Sequence, residues 1–365
     1  MRKTGKEVFI GMSGGVDSSV TAMLLKEQGH DVVGVFMRCY NLDGCAERDA
    51  EDARRVAEHL KIPFYVWDFE EEYKRRVVDY MIDGYRAGIT PNPDVMCNRE
   101  IKFGLFLKKA LAAGADHVAT GHYVKIAKEG NRYGLFAARD KNKDQSYFLW
   151  TLTQNELQYC MFPVGDLLKS EVRALARQGG LPTAEKKDSQ GICFLGDISV
   201  DDFLKQYIPE RRGALMTTEG KAIGEHSGAE FYTIGQRHID ADFKFPKTGG
   251  ASARVPYYVA GKDAATNTVV VAEGNENPAL YRKEIEIATV NVIGGSGALA
   301  GVLAGDGKVL ARVRYRQPLA EAEISRLPNG NYRLVFARAQ KFIAPGQSAV
   351  FYNGEGEMLG GGVIL

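Results

Sequence analysis

Six residues near the start of the chain, Ser13-Gly14-Gly15-Val16-Asp17-Ser18, carry the clearest chemistry. An apolar run (Val8, Phe9, Ile10) leads into them through Gly11 and Met12. Apolar residues at helical spacing (Val16, Val20, Met23, Leu24) then follow until Gly29. This spacing predicts a strand, a tight glycine loop and a helix. Glycines let a ligand approach the backbone, and a helix entry offers free N–H groups and a positive dipole end. The ligand that suits such a turn is a phosphate. The loop GxxxxGK[ST] is excluded, because no Lys follows the glycines and Asp17 stands there instead. An acidic residue beside a polyphosphate points to a magnesium-bridged triphosphate, with Asp17 as the ligand of Mg2+. The other reading is an ordinary strand-to-helix turn capped by Ser and Asp.

Thiols supply the second chemistry. The five cysteines (39, 45, 97, 160 and 193) are odd in number and scattered, which argues for reduced thiols and a cytoplasmic protein. Cys97 stands three residues after Asp94 in ITPNPDVMCNREIKF, where two prolines flank Asn92 and a helix then begins. A helix entry lowers a thiol pKa, whereas a core position makes Cys a small hydrophobe. Cys193 lies in the polar, glycine-flanked segment KKDSQGICFLG, a setting that favours reactivity. Cys39, Cys45 and Cys160 read as structural.

The elements that must position these groups form a β/α alternation. Asp31–Cys39 and Phe64–Phe69 read as further strands with amphipathic helices between them, so a parallel sheet is expected, binding ligand at its carboxyl ends. Met37 falls at one such end. ADHVATGHY is another strand, which ends at Gly121-His122, where His122 either lines the site or is a hydrogen-bonded structural residue. Lys169–Gln178 reads as a short helix stopped by Gly179-Gly180. RDKNKDQSYFLW places basic residues before aromatics, a composition that holds a phosphate backbone or simply enters a helix.

Beyond about residue 200 the texture changes to glycine-punctuated runs, and from Ile285 to turn-bounded β-branched runs. The expected domains are residues 1–200, a small β-rich unit over 201–280, and a β-barrel over 281–365. Asp306-Gly307, Asn329-Gly330 and Asn353-Gly354 are hairpin signals. Arg312, Arg314 and Arg316 alternate with Val313 and Tyr315, which predicts one strand face bearing three guanidiniums, a phosphate track. A net charge of +1 with 45% apolar residues leaves nucleic-acid binding to such local patches. No membrane span or secretory leader is legible in the sequence.

SGGVDS resembles the PP-loop of the ATP pyrophosphatases, which implies cleavage of ATP between the α- and β-phosphates and adenylation of a carbonyl oxygen. Such a site with two loop cysteines and a basic β tail suggests sulfur insertion into a nucleic acid. With NPDVMCNREIKF, ATGHY, KDQSYFL, DSQGICF, TIGQR, RYRQ and APGQSAVFY, the chain resembles the bacterial tRNA-specific 2-thiouridylases over nearly its full length. That resemblance implies an α/β PP-loop domain, a small central domain and a C-terminal β-barrel. It implies ATP-dependent 2-thiolation of a wobble uridine, with the tRNA anticodon arm and a persulfide donor protein as partners. Gly11, Met12, Ser13, Gly14, Gly15, Val16, Asp17 and Ser18, with Met37 and Gly121, would bind ATP. Asn92, Pro93 and Asp94 would meet the target base, Asp94 also serving as proton acceptor. Cys97 would be the catalytic thiol and Cys193 the persulfide carrier. His122, Lys143, Asp144, Gln145, Arg314, Tyr315 and Gln347 would contact tRNA. A rival is an amidotransferase-type ligase of the same superfamily, for which no glutaminase segment is visible. Another is a redox-responsive RNA-binding module that merely holds a nucleotide.

Overall fold

Apolar runs buried on both faces make the centre of the first sheet. The computed structural model describes residues 5–40, 44–188, 194–196, 198–243, 255–294 and 301–365. Strand β1 (Glu7–Gly11) buries all but its first residue, and helix α1 (Val16–Glu27) follows it. Strand β2 (Asp31–Arg38), helix α2 (Cys45–Leu60) and strand β3 (Phe64–Asp68) repeat the unit. Val8 pairs with Val32 on one side of β1 and with His117 of β4 (His117–Ala119) on the other, both in parallel. The sheet order β3-β2-β1-β4 continues to a short strand at Cys160–Met161. The chain direction of winding reverses between β1 and β4, so a crevice opens where the loops after these two strands part.

Alternation along β1 sends side chains to two cores. Val8 and Ile10 pack with Val20, Val56 and Val172, while Phe9 packs with Val77, Met81, Ile101 and Phe106. Helices therefore cover both faces. On the first lie α1, α2 and the helix Lys169–Gln178, which spans the expected residues. On the second lie helical residues 70–86 and a run of Pro93–Met96, the π-helix Cys97–Phe106 and Leu107–Ala112. Among the described residues, no helix is long and apolar enough to cross a membrane.

A hairpin, β5 (Val124–Glu129) and β6 (Arg132–Ala137), leaves this sheet to join another; the strand at Cys160–Met161 is β7. The central unit is a sheet of β8 (Gly213–Thr217), β9 (Ala222–His226), β10 (Ala241–Phe243), β11 (Tyr257–Asp263) and β12 (Thr268–Glu273), ordered β10-β9-β8-β12-β11. The barrel comprises β13 (Tyr281–Val292), β14 (Lys308–Arg312), β15 (Ala320–Arg326), β16 (Tyr332–Lys341), β17 (Ser348–Tyr352) and β18 (Glu357–Ile364), closed by pairing of β13 with β18. β6 pairs with β18, Met358 opposite Leu135. Asn329-Gly330 and Asn353-Gly354 join antiparallel neighbours as expected. Asp306-Gly307 only precedes β14, after a helical turn.

The expected arginine face is overturned. β14 ends at Arg312, turns follow, and Arg316 has φ +63°, so the period-2 alternation has no extended backbone to act on. Arg312 is 5% exposed and pairs with Asp144 at 2.7 Å. It is a buried tie between the barrel and the first 200 residues, and no phosphate can reach it.

Candidate active site

The loop after β1 lies at the crevice. Gly14 takes φ +70°, and a Cβ there would stand 2.4 Å from the Asp49 carbonyl oxygen of α2, so the position requires glycine. The Ser13 N–H donates to Ser18 Oγ at 3.2 Å, and Ser18 Oγ and Ser19 Oγ donate to the Gly15 carbonyl at 3.1 and 2.8 Å. Met12 and Val16 send their side chains into the core and leave only backbone to the loop. The methyl of Met37 comes within 2.8 Å of where a Cβ would sit on Gly11. From β4, Gly121 packs on the backbone of Asp17 and Ser18, a Cβ there falling 2.7 Å from the Ser18 nitrogen. The residues that the resemblance assigns to ATP therefore lie together.

Asp17 is not a bare carboxylate. Lys169 Nζ donates to its two oxygens at 2.7 and 2.8 Å, and the Tyr123 hydroxyl donates to Oδ1 at 2.8 Å. Burial and the Asp17 charge push the Tyr123 phenol up, so it stays a donor. Lys169 also meets Asp188 Oδ1 at 2.8 Å, where Arg173 donates at 2.7 Å, while Lys143 donates to Asp188 Oδ2 at 2.6 Å. Burial alone would raise the Asp188 carboxyl, but the hydrogen bonds of Lys143 and Lys169 overcome it and hold it at about 2. The lysine missing after the glycines thus arrives from 152 residues further along. One signal could have found it. A Lys as first residue of a helix opposes the dipole, which is a weak pointer to a carboxylate nearby.

The helix that bears the Cys97 thiol meets the root of this loop by its far end. Asn92 caps a helix turn, its side-chain oxygen accepting the Val95 N–H at 3.3 Å, with Pro93 at the first helical position. The helix passes into π register at Cys97, and the ring of Phe106 at its far end stands 3.9 Å from the Cβ site of Gly11. The helix that carries Cys97 therefore packs at the root of the phosphate loop. A π turn returns the residue five positions on towards the face of the first, which brings Lys102 round to Cys97. Burial pushes the Cys97 thiol up, and the Lys102 charge opposes it. Asp94 keeps some surface, yet burial raises its carboxyl too, again against Lys102. Lys102 and Lys169 are the functional candidates that the sequence reading did not single out.

The barrel reaches this segment directly. Gln347 Nε2 donates to the carbonyls of Thr90 and Pro91 at 3.0 and 3.1 Å, and the Thr90 N–H donates to Pro345 at 2.8 Å. Gln347 therefore fixes the backbone just before Asn92. Gln145 Oε1 accepts the Tyr123 N–H at 3.0 Å, and so steadies the phenol on Asp17. Tyr315 packs on Phe148 with ring centroids 4.5 Å apart, and Asn98 donates to the Phe148 carbonyl at 3.5 Å. Arg314 lies half-buried over the Phe342 ring.

Of the expected tRNA set, Lys143, Gln145, Arg314, Tyr315 and Gln347 keep some surface, and two residues do not. Asp144 is 4% exposed on Arg312. His122 is buried, with Nδ1 2.8 Å from Thr120 Oγ1, and burial, then Lys102, holds it well below the usual imidazole range. Cys160 is buried and donates to the Glu156 carbonyl at 3.2 Å, as a structural thiol does; Cys39 is half-buried. Cys193 and the Cys45 side chain lie outside the described residues.

Three family models match the chain in order. They are described as the tRNA methyl transferase HUP domain (residues 6–197), the tRNA methyl transferase PRC-barrel domain (201–273) and the aminomethyltransferase beta-barrel domain (283–364). The tRNA-specific 2-thiouridylase MnmA 2 of Geobacillus kaustophilus is 44% identical over 362 residues, which cover 98% of this chain and 94% of that protein. The Streptococcus thermophilus tRNA-specific 2-thiouridylase MnmA is 45% identical, with the same coverage of each chain. The Bacillus subtilis protein of that name is 42% identical, covering 100% of this chain and 96% of its own. With a buried thiol on a helix packed against β1 and relatives of this closeness along its length, the chain belongs to the tRNA-specific 2-thiouridylase family.

Proposed function

We infer that this chain converts a wobble uridine of tRNA to 2-thiouridine at the expense of ATP. One observation carries the reading: the phosphate loop and the helix bearing Cys97 pack on each other through Gly11 and Phe106. Two of the matching models are described by methyl transfer. A phosphate loop and a thiol on a helix packed against its strand suit activation of an oxygen followed by sulfur attack, which agrees with the names of the relatives.

The uracil 2-oxygen attacks the α-phosphorus of ATP, pyrophosphate leaves, and the N3 proton passes to Asp94. Burial makes Asp94 a stronger base than an ordinary carboxylate once it is ionised. The terminal sulfur of a persulfide on Cys193 then attacks C2, and AMP departs with the oxygen. The Cys97 thiolate attacks Cys193 Sγ, forming a disulfide between them and releasing the thiocarbonyl. An external thiol must reduce that disulfide before the next turnover. Asn92 and Pro93 present the base, Gln347 holds the backbone just before them, and Lys143, Gln145, Arg314 and Tyr315 face the tRNA.

Magnesium fits the donor set. Asp17 and Asp188 flank one ammonium group, and two carboxylates with phosphate oxygens make an ordinary magnesium shell. Among the described residues no group of three or more His, Cys, Asp or Glu side chains could hold a metal, so the ion would enter with the nucleotide, whose charge it would neutralise.

Pyrophosphate release from ATP that depends on substrate tRNA, with 2-thiouridine found by mass spectrometry of the digested tRNA, tests the reading. Release without tRNA dependence, or without the thiolated nucleoside, would refute it. The Cys97 environment adds a pH expectation. Its thiol is raised, so thiolate and the resolving rate increase as pH rises through and beyond the usual thiol range. Lys102→Met removes the opposing charge and should shift that limb further up, slowing single-turnover thiolation about tenfold per pKa unit at neutral pH. An unshifted profile would show that Lys102 does not act on Cys97.

A further inference from the structure

A phenol hydroxyl lies deep in the core against the resolving thiol. Tyr73 is 2% exposed and Cys97 6%, and both belong to the apolar cluster on the second face of the first sheet. From the helical residues 70–86, the Tyr73 O–H donates across to the Cys97 sulfur at the start of its π-helix. The ring of Tyr73 packs edge-on against Phe194, with centroids 5.8 Å apart, and Phe194 follows Cys193 in the sequence. Tyr40 and Phe203 complete the aromatic cluster around Phe194, at 6.3 and 5.5 Å. A phenylalanine at position 73 would fill this core without a polar atom to desolvate. A thiol is a weak acceptor and offsets little of that cost, whereas a thiolate accepts strongly. The hydroxyl therefore acts most once Cys97 has lost its proton.

We propose that Tyr73 is a catalytic residue of sulfur transfer: its hydroxyl stabilises the Cys97 thiolate that attacks Cys193 Sγ, and its ring holds Phe194, the next residue after Cys193. The proposal rests on the thiolation reading above. The phenol only donates. Cys97 Sγ forms the new S–S bond, the persulfide S–S bond breaks, and its electron pair leaves with the sulfur on C2. Other groups face the same thiol. Burial raises it, Lys102 opposes burial, Asp94 adds to it, and the Tyr73 hydrogen bond opposes it. Arg76 is engaged by Glu100 at 3.1 Å across the two helical runs. His122, whose ring lies 6.0 Å from that of Phe103, is held well below the usual imidazole range by burial and then by Lys102. Lys102 thus divides its field among Cys97, Asp94 and His122, whereas a hydrogen bond is directed at one atom.

Tyr73→Phe removes the hydroxyl and keeps the ring on Phe194, so it isolates the donor. The ionisation of Cys97 is read in the full chain from the NMR signal of isotope-labelled cysteine Cβ, assigned by its loss in Cys97→Ser. Loss of one charge-assisted hydrogen bond should move that titration up by about one to two pH units. Single-turnover thiolation at neutral pH should slow about 3- to 10-fold for each unit, since a less acidic thiol gives a scarcer but stronger nucleophile. Fluorotyrosine at position 73, a more acidic donor of nearly the same shape, should move both the opposite way. If Tyr73→Phe does not fold, the fluorotyrosine chain alone decides. An unmoved Cys97 titration would overturn the proposal. Slower thiolation with that titration unmoved would also overturn it, leaving Tyr73 a packing residue. A wild-type chain in which Cys97 titrates but no 2-thiouridine forms would instead refute the thiolation reading, and with it the role of Tyr73 in transfer.

Discussion

Replacing Cys97 by Ser is expected to lower 2-thiouridine formation on the order of 10³-fold or more, the loss that follows removal of a nucleophile. tRNA-dependent pyrophosphate release should persist, because the loop, Asp17 and Lys169 are untouched. Cys193→Ser should give the same split between the two activities, but for a different reason. It cannot carry the sulfane sulfur, whereas Cys97→Ser should still accept a persulfide at Cys193 and stop at the next step. Mass spectrometry of each variant after incubation with a sulfur donor tells them apart. A persulfide on Cys97 and never on Cys193 would reverse the two roles. Persulfide on neither would make free sulfide the nucleophile.

Arg312→Ala should be the most destabilising of the arginine substitutions. Its guanidinium donates to Asp144 at 2.7 Å and to Ser146 at 2.9 Å, and its Nε has no hydrogen-bond partner among the described residues. Removing one member of a buried pair leaves the other charge stranded, at a cost of about 3–5 kcal/mol. The expected result is a clearly lower melting temperature, with the salt dependence of tRNA binding by the folded fraction unaltered. The double change Arg312→Met with Asp144→Leu should recover much of the loss, because both buried charges go together. A flattened salt slope without loss of stability would return Arg312 to the phosphate-binding surface.

The contrast between these two sites shows what the sequence makes legible. The loop was readable because its determinants are local: strand, glycines, helix entry and Asp17 fall within a dozen residues. The same holds for the helix stopped at Gly179 and for the closed β tail, where turn signals and β-branched runs repeat. Arg312, Arg314 and Arg316 misled because alternation has meaning only on extended backbone, and β14 stops at the first of them. Lys169 and Asp188 escaped notice because their meaning lies in contacts far along the chain. Gln347 is a related case: a residue assigned to tRNA by resemblance holds the Thr90 and Pro91 carbonyls in this structure. Composition and spacing cannot report such long-range partners.

The β5–β6 hairpin bears on how the chain is made. Its second strand pairs with β18, and Arg132 bonds Glu357 from 225 residues away. During translation, β6 must therefore wait with one edge unpaired until β18 has left the ribosome. Loop closure over such a distance slows folding, and an exposed edge invites association with other nascent chains. A ribosome that stalls or terminates before Glu357 would release a chain whose hairpin has no partner, a natural substrate for chaperones and proteases.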